Sequence, residues 1–395
     1  MSWVLPEHGG RCFDMLPATV ERLLGLGRDG LQLGSPLLQE TYDRVALIYL
    51  DAFGWRFLER HGDHALLRDA PLVERLTSQF PSTTTAHTAT IHSGVPVGEH
   101  GLYEWFVYEP RLDRLIAPLL FSFAGDARRE TLHATGLTPE EIFPRAFYER
   151  LDVACHVVHP AVIADSPASR RLLRGATVHG YADPEEGLAL LGRALAATER
   201  AYGMLYLPQV DFFMHHEGPD SPDAAALFDW MLSAIDAAVR GSTFPTGTLV
   251  LLTSDHGMDG ISPERSVYVN EVWPELGEHL ETGADGKPLA PAGSCRDLFL
   301  HAKPERVAEV VARLGELLEG VAEVQPVERL LADGVFGPSL SDALRARVGN
   351  VVALPYAGEA VYWLERGRFE QTYSGQHGGL TAGEMEIPLV ALVTG

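Results

Sequence analysis

The chain has 395 residues, of which 46% are hydrophobic and 22% are charged. This composition is ordinary for a globular protein and excludes a disordered, collagen-like or disulfide-stapled chain. Its 31 Lys and Arg residues stand against 54 Asp and Glu residues, which gives a formal net charge of −23. Because a surface of that sign repels polyphosphate chains, the sequence argues against long nucleic acids as partners.

The cysteines and the N-terminus indicate the compartment. Cys12, Cys155 and Cys295 are far apart and form no Cys-x-x-Cys pair, which argues against a disulfide framework and a thiolate zinc site. The first residues lack the basic and apolar regions of a signal peptide. No apolar run approaches the roughly 20 residues that span a bilayer. We therefore predict a cytoplasmic protein without a membrane partner.

Residues 1–43 form an N-terminal extension with one predicted helix around residues 18–26. Beyond it, short apolar runs bounded by turns predict buried strands over residues 44–50, 153–158, 204–207, 248–253, 298–301, 361–364 and 388–393. Helical periodicity and helix-start residues predict helices over residues 71–79, 184–202, 221–239 and 304–319. This alternation predicts an α/β fold, a three-layer sandwich with a mostly parallel central sheet.

Residues 44–395 are predicted to form one domain. Two stretches interrupt its pattern: residues 104–128 are rich in aromatics and Pro, and residues 262–294 are rich in Pro, Gly and Glu. We expect both to be small insertions that form a cap or lid.

Acidic and histidine side chains follow several predicted strands. Asp51 comes directly after the first strand, and Asp255-His256-Gly257 follows the strand over residues 248–253. Asp211 and His215 are four residues apart, which places them on one face of a helix. Since ligands of parallel sheets bind beyond the carboxyl ends of the strands, these residues are candidate metal ligands. Taken singly, each also has an ordinary explanation as a cap or a polar contact.

Two further segments add to this set. His377 lies between glycines in a loop before the last strand, and Phe80-Pro-Ser-Thr-Thr-Thr85 precedes a predicted helix that includes residues 86–91. A Thr hydroxyl is a weak nucleophile unless a metal lowers its pKa, and simple helix capping is the alternative for the Thr run. Carboxylates and imidazoles at several strand ends, together with a hydroxyl at a helix start, are what a two-metal hydrolase requires.

These motifs, in this order, resemble the alkaline phosphatase superfamily, and within it the type I phosphodiesterase/nucleotide pyrophosphatase family. The nucleophile block Phe-Pro-Ser-Lys-Thr of that family reads here as Phe80 to Thr84, and Thr-Gly-Leu-x-Pro-x-x-His-Gly reads as Ser93 to Gly101. The Asp-x-x-x-His block falls on Asp211 and His215, the Asp-His-Gly block on residues 255–257, and the terminal His-Gly on His377 and Gly378.

The resemblance implies an alkaline phosphatase-like catalytic domain over residues 44–395 with two divalent metal ions. Zinc suits the ligands, with manganese or iron as alternatives. One ion is expected at Asp211, His215 and His377. The other is expected at Asp51, Asp255, His256 and the Thr84 oxygen. The implied reaction is in-line attack by Thr84 on phosphorus, followed by hydrolysis of a phospho-threonine intermediate.

One departure concerns the phosphate site. Eukaryotic members carry an Asn after the His-Gly block that binds a non-bridging phosphate oxygen. This chain has Leu102-Tyr103-Glu104-Trp105 there, so backbone N–H groups near Thr84 are expected to bind that oxygen instead. The expected substrate is a small phosphate ester, such as a nucleotide, with Trp105, Phe106 and Tyr108 available to stack on it. Two alternatives stay open: a phosphomonoesterase or phosphonoacetate-hydrolase-like enzyme of the same superfamily, and a non-catalytic metal-binding partner protein.

Overall fold

The computed structural model describes residues 3–395 of the chain. Its strands are β1 (Arg44–Leu50), β2 (Leu72–Thr77), β3 (Val107–Glu109), β4 (Arg114–Ala117), β5 (Ser122–Phe123), β6 (Ala154–Pro160), β7 (Thr177–Tyr181), β8 (Ala201–Leu207), β9 (Leu249–Thr253), β10 (Asp259–Gly260), β11 (Val267–Tyr268), β12 (Ala292–Gly293), β13 (Leu298–Leu300), β14 (Ala322–Pro326), β15 (Val351–Pro355), β16 (Val361–Tyr362), β17 (Gly375–Gln376) and β18 (Glu386–Val393).

The α-helices are α1 (Leu16–Leu23), α2 (Trp55–Arg60), α3 (Ala65–Arg68), α4 (Thr84–Ser93), α5 (Val97–His100), α6 (Pro139–Ile142), α7 (Pro167–Leu172), α8 (Pro184–Ala196), α9 (Gln209–Glu217), α10 (Pro222–Arg240), α11 (Val269–Val272), α12 (Val307–Leu317), α13 (Val327–Ala332), α14 (Asp342–Arg347) and α15 (Ala382–Met385). Within residues 3–395, no helix combines the length and apolar character needed to cross a bilayer.

Seven strands form the central sheet in the order β2-β18-β9-β1-β8-β6-β7. Strand β18 runs antiparallel to both of its neighbours, β2 and β9, whereas the pairs around β1, β8 and β6 are parallel. The predicted mostly parallel α/β sheet is therefore confirmed. Because only β18 is reversed, its N-terminal end lies at the edge where the other strands have their carboxyl ends.

Strand β1 shows how the two faces of the sheet are covered. Ala46, Ile48 and Leu50 pack in one core cluster with residues of α8, α9 and α10. The intervening residues of β1 pack on the opposite face with residues of α1 and α4. Alternate side chains of a strand point to opposite faces, so an uninterrupted apolar run is what a sheet buried between two helical layers requires.

Smaller units surround this sandwich. Strands β12-β13-β15-β14 form a four-stranded sheet that packs against α12. Residues 104–128 contain the three-stranded sheet β3-β4-β5, and residues 262–294 contribute apolar side chains to the cluster around α12. The segment before β1 contains α1, whose apolar residues belong to the core on one face of the central sheet.

The helix predicted over residues 71–79 is wrong, because residues 72–77 form the edge strand β2. Leu72 and Leu76 pack on one face of the sheet and Val73 packs on the other. The apolar residues of this short segment thus fit the period of two of a strand as well as the period of a helix. Pairing with β18 decides between the two patterns. The helix predicted over 184–202 ends earlier, at Ala196, because β8 begins at Ala201.

A buried ion-pair network ties together loops at the carboxyl edge of the sheet. The guanidinium of Arg296 is fully buried and donates to both oxygens of Glu384 over 2.9 Å and to Asp259 Oδ2 over 3.1 Å. It also donates to the carbonyl oxygen of Tyr356 over 2.9 Å. These bonds join the loop after β9 to the segment before β18.

We expect replacement of Arg296 by Leu to destabilise the protein strongly, because two buried carboxylates would lose their counter-charge. Breaking such a pair typically costs about 3–5 kcal/mol of the free energy of unfolding, which urea denaturation would measure. Arg306→Leu is the matched control, since its pair with Glu309 is half exposed and should contribute little. Equal stabilities for the two variants would contradict this account.

Candidate metal centre

The predicted ligands converge because their strands end at the same edge of the sheet. Strands β9, β1 and β8 are neighbours, and the chain after each of them carries one predicted carboxylate: Asp255, Asp51 and Asp211. Asp211 lies in the first turn of α9, which begins two residues after β8 ends. Because these three strands are parallel neighbours, the three acidic side chains lie close together.

His377 reaches the same place by a different route. It follows β17, which pairs with β10 just after the Asp-His-Gly segment, and it precedes the reversed strand β18. Thr84 opens helix α4 after β2, which runs in the same direction as β9 because both are antiparallel to β18. The structure thus brings all six predicted ligands and Thr84 to one edge.

Asp211, His215 and His377 form the first group of ligand atoms. Asp211 Oδ1 lies 3.4 Å from His215 Nε2 and 3.6 Å from His377 Nε2. The three candidate ligand atoms all lie within 4.8 Å of one another. A single ion could bind all three if they moved slightly closer together.

The second group surrounds His256. Its Nε2 lies 3.1 Å from Asp255 Oδ2, 3.5 Å from Asp51 Oδ1 and 3.3 Å from Thr84 Oγ1. Asp51, Asp211 and His256 also meet within 4.8 Å, so Asp211 lies between the two groups. The two groups therefore form two adjacent candidate sites, and Asp211 lies close to the ligand atoms of both.

All three histidines are oriented in the same way. The Nδ1 atoms of His215, His256 and His377 lie 2.8, 2.8 and 2.9 Å from the carbonyl oxygens of Gly375, Gly257 and Ser82. A carbonyl oxygen can only accept, so each Nδ1 carries a proton, and in the neutral ring Nε2 keeps a lone pair. This is the tautomer in which Nε2 binds a metal ion, with its ring held by an outer hydrogen bond.

Asp51 and Asp255 are each held by one oxygen and leave the other free. Tyr206 donates its hydroxyl to Asp51 Oδ2, and Asp255 Oδ1 accepts from Ala52 N over 3.3 Å and from Ser254 Oγ over 3.1 Å. Asp51 Oδ1, Asp211 Oδ1 and Asp255 Oδ2 are buried without a hydrogen-bond partner. Buried unpaired oxygens are unfavourable, and these three lie next to the free Nε2 atoms.

Electrostatics agree with a cation site. Burial, together with the charges of Asp255 and Asp211, raises the pKa of Asp51 well above its usual range. Burial also raises the pKa of Asp211 and lowers the pKa of His377 well below its usual range. Asp255 differs, because its charge raises the pKa of the adjacent His256 against the effect of burial. Asp51 and Asp211 are thus the carboxylates that lack a sufficient counter-charge, which divalent cations would supply. The donor set of carboxylate oxygens and imidazole nitrogens fits such ions.

Gly257 is required by close packing. A Cβ atom on Gly257 would lie 2.1 Å from the carbonyl oxygen of Gly383, which real side chains do not tolerate. A close contact between two loops therefore requires glycine at this position. Gly257 N also donates to the carbonyl oxygen of Glu384 over 2.8 Å.

The aromatic residues that were predicted to bind substrate separate in the structure. Trp105 lines the same cavity of about 340 Å³ as Thr84 and Asp211. Phe106 packs against Phe369, with ring centroids 5.4 Å apart. Tyr108 donates its hydroxyl to Asp113 over 2.7 Å, and neither Phe106 nor Tyr108 belongs to the described lining of that cavity.

Tyr206 holds the candidate ligand Asp51 in place, but the sequence analysis did not predict this role. It lies one residue before the end of β8, and its register partner is Tyr49, one residue before the end of β1. A hydroxyl near the end of an otherwise apolar run was the available signal. His87, by contrast, is engaged at both ring nitrogens by Ser78 Oγ, Gln79 N and the carbonyl oxygen of Thr83, and so holds the loop that leads to Thr84.

Solved structures share this fold. Murine ectonucleotide pyrophosphatase/phosphodiesterase 5 aligns with a TM-score of 0.64 at 18% identity, covering 88% of this chain and 87% of that one. Its inactive variant in complex with AMP aligns with a TM-score of 0.64 at 17% identity over 88% and 87% of the two chains. Phosphonoacetate hydrolase from Sinorhizobium meliloti, in complex with phosphonoformate, aligns with a TM-score of 0.60 at 17% identity over 88% and 89%.

Among curated protein sequences, none matches this chain. A protein-family comparison matches residues 45–379 to the type I phosphodiesterase/nucleotide pyrophosphatase family. The match spans most of the chain and confirms the resemblance read from the motif blocks. The protein therefore belongs to the type I phosphodiesterase/nucleotide pyrophosphatase family of phosphoric ester hydrolases.

Proposed function

We propose that this protein is a metal-dependent phosphodiesterase that cleaves small phosphodiester or pyrophosphate substrates, nucleotides among them, through a phospho-threonine intermediate. The observation that carries this proposal is the position of Thr84. Its hydroxyl lies 3.3 Å from His256 Nε2, among the candidate ligand atoms, and Thr84 also lines the adjacent cavity. A nucleophile and a substrate cavity therefore meet at the metal centre.

Two divalent ions are proposed, with zinc as the ion that best fits the ligands. Asp211, His215 and His377 would hold one ion. The second would be held by Asp51, Asp255, His256 and the Thr84 oxygen. When bound, the ions would lower the pKa of the Thr84 hydroxyl and of water, and would offset the negative charge that develops on the phosphoryl oxygens.

The chain's own groups then account for the remaining steps. Thr84 Oγ loses its proton to solvent and forms a bond to phosphorus, while the bond to the leaving oxygen breaks on the opposite side. Water next cleaves the Thr84 phosphoester, which releases the monoester product and restores the hydroxyl. The three Nδ1 hydrogen bonds to carbonyl oxygens keep the imidazoles in one tautomer throughout.

Helix α4 supplies the proposed substitute for the family's phosphate-binding Asn. Its N-cap, Thr83, makes no side-chain capping hydrogen bond, so the N–H groups of the first turn are available to a phosphate oxygen. The N-terminus of a helix favours anions through these N–H groups and the helix dipole.

A diester or a pyrophosphate fits better than a monoester because the cavity offers room for a second group beside the phosphate. Leu119 and Leu120, from the stretch over residues 104–128, line this cavity, which supports the proposed cap role of that stretch. A cytoplasmic location is also proposed. It is supported by the three cysteines, which are all buried and unpaired.

Thr84→Ala should abolish turnover of bis-p-nitrophenyl phosphate, with kcat reduced by about a thousandfold or more, because the nucleophile is lost. Thr84→Ser should keep part of the activity. Thr246→Ala is the matched control, because this exposed threonine lies outside the described lining of the cavity, and it should stay close to wild type. Release of p-nitrophenol by the zinc-loaded protein measures all three.

Retention of full activity in Thr84→Ala would contradict the nucleophile assignment. Faster turnover of p-nitrophenyl phosphate or of phosphonoacetate than of the diester would favour the monoesterase or phosphonate alternatives. A metal-loaded protein that is inert to all of these substrates would favour a non-catalytic binding role.

Metal removal and return should change stability as well as activity. A metal that binds only the folded state adds about 2.7 kcal/mol to the free energy of unfolding at a hundred times its dissociation constant. We therefore expect zinc to raise the melting temperature of chelator-treated protein. Asp51→Asn should reduce this rise, because it removes a ligand of one of the two proposed ions. It should leave the metal-free protein as stable as wild type or more so, because a buried carboxylate that lacks a counter-charge is removed.

Asp333→Asn serves as the control for that experiment, since this carboxylate is 57% exposed and pairs only with Arg329 at 3.9 Å. Its zinc-induced rise in melting temperature should equal that of wild type. An equal rise in Asp51→Asn would show that Asp51 does not bind the ion.

A further inference from the structure

Another group of potential metal ligands lies in the segment before α1, and it shares no residue with the candidate metal centre. His8, Cys12 and Asp14 each offer one ligand atom, and these three atoms all lie within 4.8 Å of one another. An imidazole, a thiol and a carboxylate are three groups that zinc binds once the thiol has lost its proton.

A tight turn brings His8 back beside the other two residues. The carbonyl oxygen of Glu7 accepts from the backbone N–H groups of residues 10 and 11 over 3.2 and 3.1 Å. Cys12 follows this turn and pairs with Thr77 at the end of β2. The backbone of the segment is therefore held against the central sheet without help from the three side chains.

The ring of His8 is oriented by a hydrogen bond at one nitrogen. Its Nε2 lies 3.3 Å from the carbonyl oxygen of Val335, which can only accept, so Nε2 carries a proton. Its Nδ1 lies 2.6 Å from Asp14 Oδ2. Burial lowers the pKa of His8, but the hydrogen bond and the charge of Asp14 together raise it above its usual value. A second proton on Nδ1 thus joins the ring to the carboxylate, and a metal ion could replace that proton.

This ion pair leaves part of the group uncompensated. The side chain of Asp14 is 7% exposed, and its Oδ1 is buried without a hydrogen-bond partner among residues 3–395. Cys12 is fully buried, and its thiol makes a long contact of 3.6 Å with the carbonyl oxygen of Ser78. Because an unpaired buried oxygen is unfavourable, Asp14 has capacity for a partner besides His8.

The charges of the three side chains match one divalent cation. A thiolate and a carboxylate carry two negative charges and a neutral imidazole carries none, so a bound zinc ion would leave the buried group without net charge. Burial raises the pKa of the Cys12 thiol, so the thiolate would form only with the ion. Binding would release the thiol proton and the Nδ1 proton of His8 to solvent. Zinc keeps its nitrogen and oxygen ligands about 3.3 Å apart, so the contact between His8 and Asp14 would widen.

We propose that His8, Cys12 and Asp14 form a structural site for a divalent cation of the zinc type, with water as the fourth ligand. A single thiolate suffices, so the site needs no Cys-x-x-Cys pair. The ion would fasten the N-terminal segment to the loop at Val335, through His8, and to the end of β2, through Cys12. This proposal is independent of the proposed function, because the site contributes no group to phosphoryl transfer.

Cobalt absorption tests the site, because Co²⁺ can replace zinc and a thiolate ligand gives it an intense charge-transfer band in the near ultraviolet. None of the ligands proposed for the candidate metal centre is a cysteine, so Co²⁺ bound there gives no such band. We expect chelator-treated wild type to develop the band with Co²⁺ and to lose it with excess zinc. Cys12→Ser should lack the band. Cys155→Ser is the matched control and should keep it, since Cys155 is also buried and unpaired.

Two further variants test the other ligands. His8→Phe and Asp14→Asn should each weaken the binding of Co²⁺ that produces the band by about a hundredfold or more, since even an outer partner of a metal ligand contributes about 10–100-fold to affinity. Zinc that stays bound per chain should fall by one ion in Cys12→Ser and should not change in Cys155→Ser. Unchanged cobalt affinity in both His8→Phe and Asp14→Asn would overturn the proposal.

A double variant keeps the test decisive if Cys12→Ser does not fold. Replacing both Cys155 and Cys295 by Ser leaves Cys12 as the only thiol of the chain. The band in this variant would support the proposal, and its absence there or in wild type would overturn it, leaving His8 and Asp14 as an ion pair only. A band in folded Cys12→Ser would overturn it too. The band does not depend on turnover of bis-p-nitrophenyl phosphate, so failure of the proposed function would be recognised separately.

Discussion

The repulsion among three carboxylates that lie together at one edge of the sheet is the constraint on which this site depends. Asp51 and Asp255 are fully buried, and each of the three carboxylates keeps one oxygen without a hydrogen-bond partner. Such groups persist in a fold only when cations or other partners compensate them. The free Nε2 atoms beside them provide the remaining ligands, so the same arrangement that opposes stability in the chain alone is suited to divalent ions.

The surrounding structure holds these groups in place against that repulsion. Backbone carbonyl oxygens orient the three imidazoles, and the hydroxyl of Tyr206 holds Asp51. Farther out, the fully buried guanidinium of Arg296 joins Asp259 to Glu384 and so ties the loop that carries Asp255 and His256 to the segment between His377 and β18. Positions that must be accurate for metal binding thus depend on hydrogen bonds from outside the ligand set.

The candidate metal ligands and the cavity are proposed to recognise different parts of a substrate. The excess of acidic residues leaves few cationic side chains to bind phosphate, and Arg129 is the one Lys or Arg in the described lining of the cavity. Under the proposed function, the ions and the N-terminus of α4 would bind the phosphate instead. The cavity contributes apolar walls, which would meet the organic part of a substrate. Affinity for phosphate and choice of substrate would therefore reside in different residues, and substitutions can separate them.

The sequence by itself determined which residue types follow the buried strands. An apolar run that ends in Asp51, or in Asp255-His256, is a local pattern, and the order of the motif blocks identified the family. Local patterns could not decide β2, whose residues fit two periods until β18 pairs with them. Nor could they place His377, which reaches the site because β18 alone is reversed, or find Arg296, whose role arises from partners that are distant in the chain. Strand ends can be read from neighbouring residues, but hydrogen-bond partners across the fold exist only once the tertiary structure brings them together.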